Sequence, residues 1–255
     1  VIIKNPQDIE SIRTAGKYLA EVLSDLQAKV KPGISTAELD VAAEEGIVSR
    51  GCTPAFLGYK PQGMKYPFPA VLCISVNDEV VHGIPKANHI LKDGDVVSLD
   101  LGLSYKGFFV DSAVTMCVGE GDDSAKKLIN ATREALSVGI GAARVGGTMG
   151  GIGEAVESVA QRNKVSVVED LGGHAIGKKL HEQPFIPNAG HAGEGEHIVE
   201  GMALAIEPMF CEGSPKIILD EDDQWTYRMQ DGKRAAHFEH TVLVTKDGPE
   251  ILTKV

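Results

Sequence analysis

The chain has 255 residues, 43% of them in the hydrophobic set, and a formal charge of −11. That length supports one large domain or two small ones with a sizeable core, and no signal peptide or bilayer-length apolar run is evident. Acid and base are interspersed, and the negative balance argues against nucleic-acid or anionic-membrane partners.

Residues 5 to 28 read as a helix. Asn5-Pro6 is a cap with proline at the first helical position, and Ile9, Ile12, Gly16, Leu19, Leu23 and Leu26 form the apolar stripe. Pro32-Gly33 breaks it. Ser35-Thr36-Ala37-Glu38 is a capping box with an Ile34–Leu39 staple, so a second helix should run to about Arg50. Residues 51 to 69 are rich in Gly, Pro and aromatics, including Phe56, Tyr59, Tyr66 and Phe68. Such a segment either lines a pocket or packs on its own core, and its composition fits both equally. A strand follows at Ala70 to Val76, then a turn at Asn77-Asp78-Glu79 and an apolar run that ends in His82. A histidine in that place is ordinarily structural.

The stretch Val96 to Thr115 reads as a β-hairpin about the turn Ser104-Tyr105-Lys106-Gly107. A turn centred between Tyr105 and Lys106 sets Asp100 opposite Asp111 on one face, with Cβ atoms ~5 Å apart. Opposed like charges among Val, Leu and Phe need a shared proton or a bridging cation. Further helices are expected at Ser124 to Ala143, up to Gly146-Gly147, and from the Thr148 cap to about Gln161, with strands at Val165 to Val168, Met202 to Phe210 and His237 to Val244. Both halves, roughly 1–120 and 121–255, run helix, helix, strands, which points to an internal twofold relation without a sequence repeat. Gly150-Gly151-Ile152-Gly153 carries no G-x-G-x-x-G, and Lys179 stands where a P-loop needs Ser or Thr, so both nucleotide-loop readings fail. Cys52, Cys73, Cys117 and Cys211 are far apart with no C-x-x-C, which reads as reduced, buried thiols of a cytoplasmic protein.

Acids and histidines set in apolar strands or glycine turns complete a constellation: Asp100, Asp111, His174, Glu207 and Glu239. Four carboxylates and one imidazole neutralise two divalent ions. Such oxygen-rich ligation suits Mn, Fe(II), Co or Zn in an open catalytic site rather than a structural zinc. Two ions ~3.5–4 Å apart hold a hydroxide and polarise a carbonyl.

Nearly the whole chain resembles the type I methionine aminopeptidases of metallopeptidase family M24. The matching motifs are Asn77-Asp78-Glu79-Val80-Val81-His82-Gly83-Ile84-Pro85, the two aspartates, Gly173-His174-Ala175-Ile176-Gly177, Ile206-Glu207-Pro208-Met209 and Phe238-Glu239-His240-Thr241. The resemblance implies an α+β pita-bread fold: one catalytic domain over 1–255, with helices packed on a curved, mainly antiparallel sheet. It implies removal of the N-terminal methionine of nascent polypeptides when the next residue is small, by a cytoplasmic monomer; it leaves ribosome docking open. It also implies roles. Asp100 would chelate one ion, Asp111 and Glu239 would bridge both, and His174 and Glu207 would complete the other ion's shell. Glu207 would carry the proton, His181 would stabilise the carbonyl oxygen and His82 would bond the scissile nitrogen. Phe56, Tyr59, one of Tyr66 and Phe68, Cys73 and Trp225 would wall the methionine pocket. Val1 is small enough to have followed a methionine that this chain's own kind removed.

The chain departs from the family at Phe56, where bacterial relatives often have cysteine, at a longer 60–69 segment, at the 187–197 loop, at the acidic run Asp220 to Asp223, and at Ala175 after Gly-His. These departures point to altered inhibitor fit, not altered reaction. The competing readings are an X-Pro peptidase of the same fold and a binding module that has lost catalysis. X-Pro relatives usually carry an N-terminal domain, whereas 99 residues precede Asp100 here; only 31 residues lie between Glu207 and Glu239, too few for the type II insertion. A non-catalytic relative usually lacks ligands, and all five are present.

Overall fold

Asn5 Oδ1 accepts from the Gln7 amide and starts helix α1 (Pro6–Gln27), whose stripe Ile12, Leu19, Leu23 and Leu26 is buried. Helix α2 (Thr36–Ser49) starts at Ser35, where the reciprocal capping box with Glu38 is formed. The computed structural model of the chain describes residues 2–254, so Val1 and the question of its processing lie outside the described residues. The strands β1 (Thr53–Pro54), β2 (Leu72–Val76), β3 (Glu79–Val81), β4 (Val96–Tyr105) and β5 (Phe108–Cys117) follow, then helices α3 (Asp123–Ala142) and α4 (Met149–Asn163). The rest of the chain adds β6 (Ser166–Val167), β7 (Gly172–Ala175), β8 (Glu182–Pro187), β9 (Ala203–Ile206), β10 (Met209–Cys211), β11 (Ile217–Leu219), β12 (Tyr227–Met229), β13 (Ala235–His237), β14 (Glu239–Thr245) and β15 (Gly248–Ile251).

Nine strands form the central antiparallel sheet in the order β1-β4-β5-β14-β9-β7-β8, with β2 added on β4 and β15 on β14. Helices α1 and α2 close one core cluster against β2, β4 and β5, and α3 and α4 close a second against β9 and β14. Two three-stranded sheets, β13-β10-β6 and β11-β12-β3, stand beside it. This is the pita-bread architecture, α+β with four helices on a curved antiparallel sheet.

Two expectations are corrected. The hairpin turn is the two-residue Lys106-Gly107, both with positive φ (49° and 77°), as a type I′ turn requires. The register therefore pairs Asp100 with Ala113 and Asp111 with Gly102. The aspartates are diagonal neighbours on one face, not directly opposed. The strands expected at 202–210 and 237–244 are each broken beside an expected ligand glutamate, Glu207 or Glu239. Pro208 offers no N–H to continue β9, and Phe238 separates β13 from β14. At the first break the chain passes from the large sheet into the β13-β10-β6 sheet, and at the second it returns from β13 to the large sheet, so Glu207 and Glu239 sit at the junction of two sheets.

The glycines of α4 have a packing role. A Cβ at Gly150 would meet the His191 carbonyl oxygen, and one at Gly153 would lie 2.8 Å from the Ala189 oxygen. The 187–197 loop lies on this smooth helix face. From it Asn188 Nδ2 reaches back 3.0 Å to the Glu207 carbonyl oxygen.

Candidate metal and substrate site

The sheet brings all five expected ligands into one cavity of about 370 Å³. Ligand atoms of Asp111, His174 and Glu239 lie within 4.8 Å of one another. Glu207 Oε1 is 3.6 Å from His174 Nε2, and Asp100 faces Asp111 closely enough that each alters the other's proton affinity. Asp100 and Asp111 come from the first half of the chain and the other three from the second, so neither half holds the set alone.

Buried side-chain bonds fix the carboxylates. Thr241 Oγ1 donates to the Asp111 carbonyl (2.8 Å) and accepts from the Asp111 amide (2.9 Å). Ser112 Oγ donates to the Glu239 carbonyl at 2.8 Å. These bonds tie β5 to β14 where their backbone pairing is short. His174 Nδ1 lies 3.0 Å from the Ala175 carbonyl, which cannot donate, so Nδ1 carries the proton and Nε2 presents a lone pair to the cavity. That is the tautomer a metal ligand needs.

Burial, and then the neighbouring carboxylates, push Asp100, Glu207 and Glu239 well above the usual carboxylate range; burial raises Asp111 as well. Burial lowers His174 to about 3, so its imidazole is neutral. Buried side-chain atoms without a hydrogen-bond partner among the described residues include Asp100 Oδ1, Glu239 Oε1, His82 Nδ1, Trp225 Nε1 and both ring nitrogens of His237. Asp100, Glu239, His82 and Trp225 line the cavity, and His237 stands beside Glu207. Crowded carboxylates, a preset imidazole lone pair and unpaired oxygens together fit divalent cations. The Cys73 thiol also lines the cavity, and burial and the surrounding acids push its pKa well above the usual thiol range.

The wall is aromatic. Phe56 meets Phe68 edge-on at 6.4 Å, Phe68 meets Trp225 at 5.2 Å, and Trp225 meets His82 at 6.0 Å. Phe56, Tyr59, Phe68, Cys73, His82, His181 and Trp225 all line the cavity; Tyr66 does not, being 51% exposed. The long 60–69 segment carries Tyr66 outward, and Phe68 takes the inner position. The apolar 51–69 segment is thus a pocket wall.

His82 has φ +59°, unusual for a non-glycine residue. The acidic run holds it there. Asp223 Oδ1 accepts from the Trp225 and Thr226 amides (both 2.9 Å), and Thr226 Oγ1 meets Asp223 Oδ2 (2.7 Å) and the His82 carbonyl (3.3 Å). Arg228 ties Asp220 (2.9 Å) to Glu79 (2.8 Å) across β12 and β3.

His237 is a further residue of the site, outside the set expected from the sequence. It is fully buried, with Nε2 3.3 Å from Glu207 Oε2. Its place two residues before Glu239, on the same apolar segment, was the available signal. Leu171 and Phe185 join the wall without any sequence motif.

The fold and these carboxylates define a metallopeptidase. The description of metallopeptidase family M24 fits residues 10–246, and the chain belongs to that family. Relatives that match it end to end include methionine aminopeptidases. One from Clostridium perfringens is 46% identical over 255 residues, covering 100% of this chain and 99% of its own. The crystal structure of the Thermotoga maritima enzyme superimposes with a TM-score of 0.94 at 39% identity, covering 100% of both chains. A Xaa-Pro dipeptidase from Bacillus anthracis, 21% identical with a TM-score of 0.76, covers all of this chain but 62% of its own and shares the fold alone.

Proposed function

We propose that the chain is a two-metal aminopeptidase that removes methionine from the amino end of newly made polypeptides when the second residue is small, acting as a cytoplasmic monomer. The observation that carries this reading is the meeting of Asp111, His174 and Glu239 beside an apolar aromatic wall in one cavity. Asp100, Asp111, His174, Glu207 and Glu239 would hold two divalent ions drawn from Mn, Fe(II), Co and Zn. When bound, such ions supply Lewis-acid polarisation and a water of lowered pKa.

The chain's own residues do the rest. The Glu207 carboxylate takes a proton from the attacking water and hands it to the leaving amine. His82, held by Thr226, hydrogen-bonds the scissile nitrogen. His181 donates to the carbonyl oxygen as negative charge develops there. Phe56, Phe68, Trp225 and Cys73 enclose an unbranched thioether and exclude water from it.

Among the described residues no helix is long and apolar enough to cross a membrane. The test is release of free methionine from Met-Ala-Ser and Met-Gly peptides after Mn, Co or Fe(II) is restored to chelator-stripped protein, with Ala-Pro as the competing substrate. Methionine release with any of these metals is expected. Cleavage of Ala-Pro alone, or of nothing, overturns the reading.

A further inference from the structure

Tyr59 was expected to be a pocket wall and nothing more. Its hydroxyl, however, lies 2.6 Å from His181 Nδ1, with the rings 5.0 Å apart and tilted by 35°. No other hydrogen bond engages that hydroxyl among the described residues. The backbone that carries His181 is already fixed, because Glu182 Oε1 accepts from the Lys178 and Lys179 amides at 2.8 and 2.9 Å. One face of the His181 ring rests on His174, with centroids 4.2 Å apart. What remains free is which nitrogen carries the proton and which way the ring is turned.

The Tyr59 bond sets both. A phenol is a good donor, and an unprotonated imidazole nitrogen is a better acceptor than a phenol oxygen. Burial raises the phenol pKa further and keeps its proton in place. If the proton ran the other way, from Nδ1 to the phenol oxygen, Nε2 would show a lone pair to the cavity. A lone pair repels a carbonyl oxygen; only Nε2–H stabilises one.

We infer that Tyr59 is a positioning residue: its hydroxyl donates to His181 Nδ1 and holds His181 as the Nε2–H tautomer, with that donor free for the substrate carbonyl oxygen. This rests on the role given to His181 under Proposed function. It divides Tyr59 into two parts, a ring that lines the pocket and a hydroxyl that acts through a neighbour.

Tyr59→Phe separates the parts, because it keeps the ring and removes only the hydroxyl. On Met-Ala-Ser, kcat should fall about 10–100-fold while KM moves less than about twofold. In the zinc-loaded protein, nitrogen-15 NMR of the histidine side chains, with the His181 signals assigned through His181→Gln, should show the Nε2–H form in the wild type and a mixture of tautomers in Tyr59→Phe. An unchanged kcat, a loss confined to KM, or the same tautomer in both proteins overturns the inference. If the wild type releases no methionine at all, it is the proposed function that fails, and the NMR comparison still decides the Tyr59 assignment.

Discussion

Asp100 and Asp111 reach the cavity from a hairpin paired along ten residues of each strand, whereas Phe56, Phe68 and Trp225 reach it from irregular segments held by ring contacts and a carboxylate-capped turn. On the floor, adjacent strands fix ligand spacing to the pleat, and side-chain bonds from Ser112 and Thr241 lock the strands to one another. On the wall, edge-to-face rings set the shape, and such contacts allow small shifts. The difference separates the two tasks of the site. The floor carries chemistry that fails with a displacement of about 1 Å. The wall carries fit.

The largest expected effect comes from the floor. Glu239→Ala removes a carboxylate that lies within 4.8 Å of both Asp111 and His174 ligand atoms. Methionine release should drop about 10³-fold, and elemental analysis should show less bound metal per chain. The far-ultraviolet circular dichroism should match the wild type. Full metal content with lost activity would detach Glu239 from the metal and leave the floor without its proposed task.

A second effect is smaller and has a defined sign. With metal stripped away, four carboxylates share one buried space. Asp100 in the folded protein holds its proton well above the range of an unfolded aspartate, about 3.9. Between that unfolded value and the raised folded one, the folded state binds more protons than the unfolded state, so stability falls as pH rises. Asp100→Asn cannot ionise and escapes this loss. In chelator, urea unfolding should show the variant more stable than wild type by about 1–3 kcal/mol at pH 8, with the advantage shrinking toward pH 4. The buried His174 and His237, both lowered to about 3, impose the opposite trend, a loss of stability as pH falls below about 6.5; they do so in both proteins and cancel in the difference. A variant that is less stable than wild type at pH 8 would show that the floor is not strained by its own charge.

The parts of the molecule written in local chemistry were legible in advance. Asn5, Ser35 and Thr148 cap their helices as short polar side chains before apolar periodic segments do. The five expected ligands stand out because an acid or histidine inside an apolar strand is costly without a partner, and the fold gathers them in one cavity. What the sequence hid was set by neighbours distant along the chain. The turn position depends on Lys106 tolerating positive φ, which its residue type does not advertise. The breaks at Pro208 and Phe238 depend on a second sheet that exists only once β6, β10 and β13 meet. The acidic run reads as a solvated loop until Arg228 draws Asp220 toward Glu79. Tyr66 and Phe68 stand two residues apart in a proline-rich segment, and nothing local says which of them turns inward.

Gly102 offers the finest test of whether floor and wall are separate. It belongs to the floor by backbone, paired with Asp111 in the hairpin, yet a Cβ there would lie 2.7 Å from Phe56 Cε1 and 3.1 Å from Ala55 Cβ. Gly102→Ala therefore loads the wall through the floor. The strand backbone accepts alanine without strain, so the methyl must move the Phe56 ring, an overpacking cost of about 1 kcal/mol or roughly fivefold in KM. Metal content and kcat should stay within about twofold, since Asp111 keeps its backbone partners. Phe56→Leu gives the methyl room, and in the double variant KM should return toward that of Phe56→Leu alone, a coupling of about 0.5–1 kcal/mol in a double-mutant cycle. If kcat and bound metal fall together with KM in Gly102→Ala, a push on the wall reaches Asp111, and the two regions move as one.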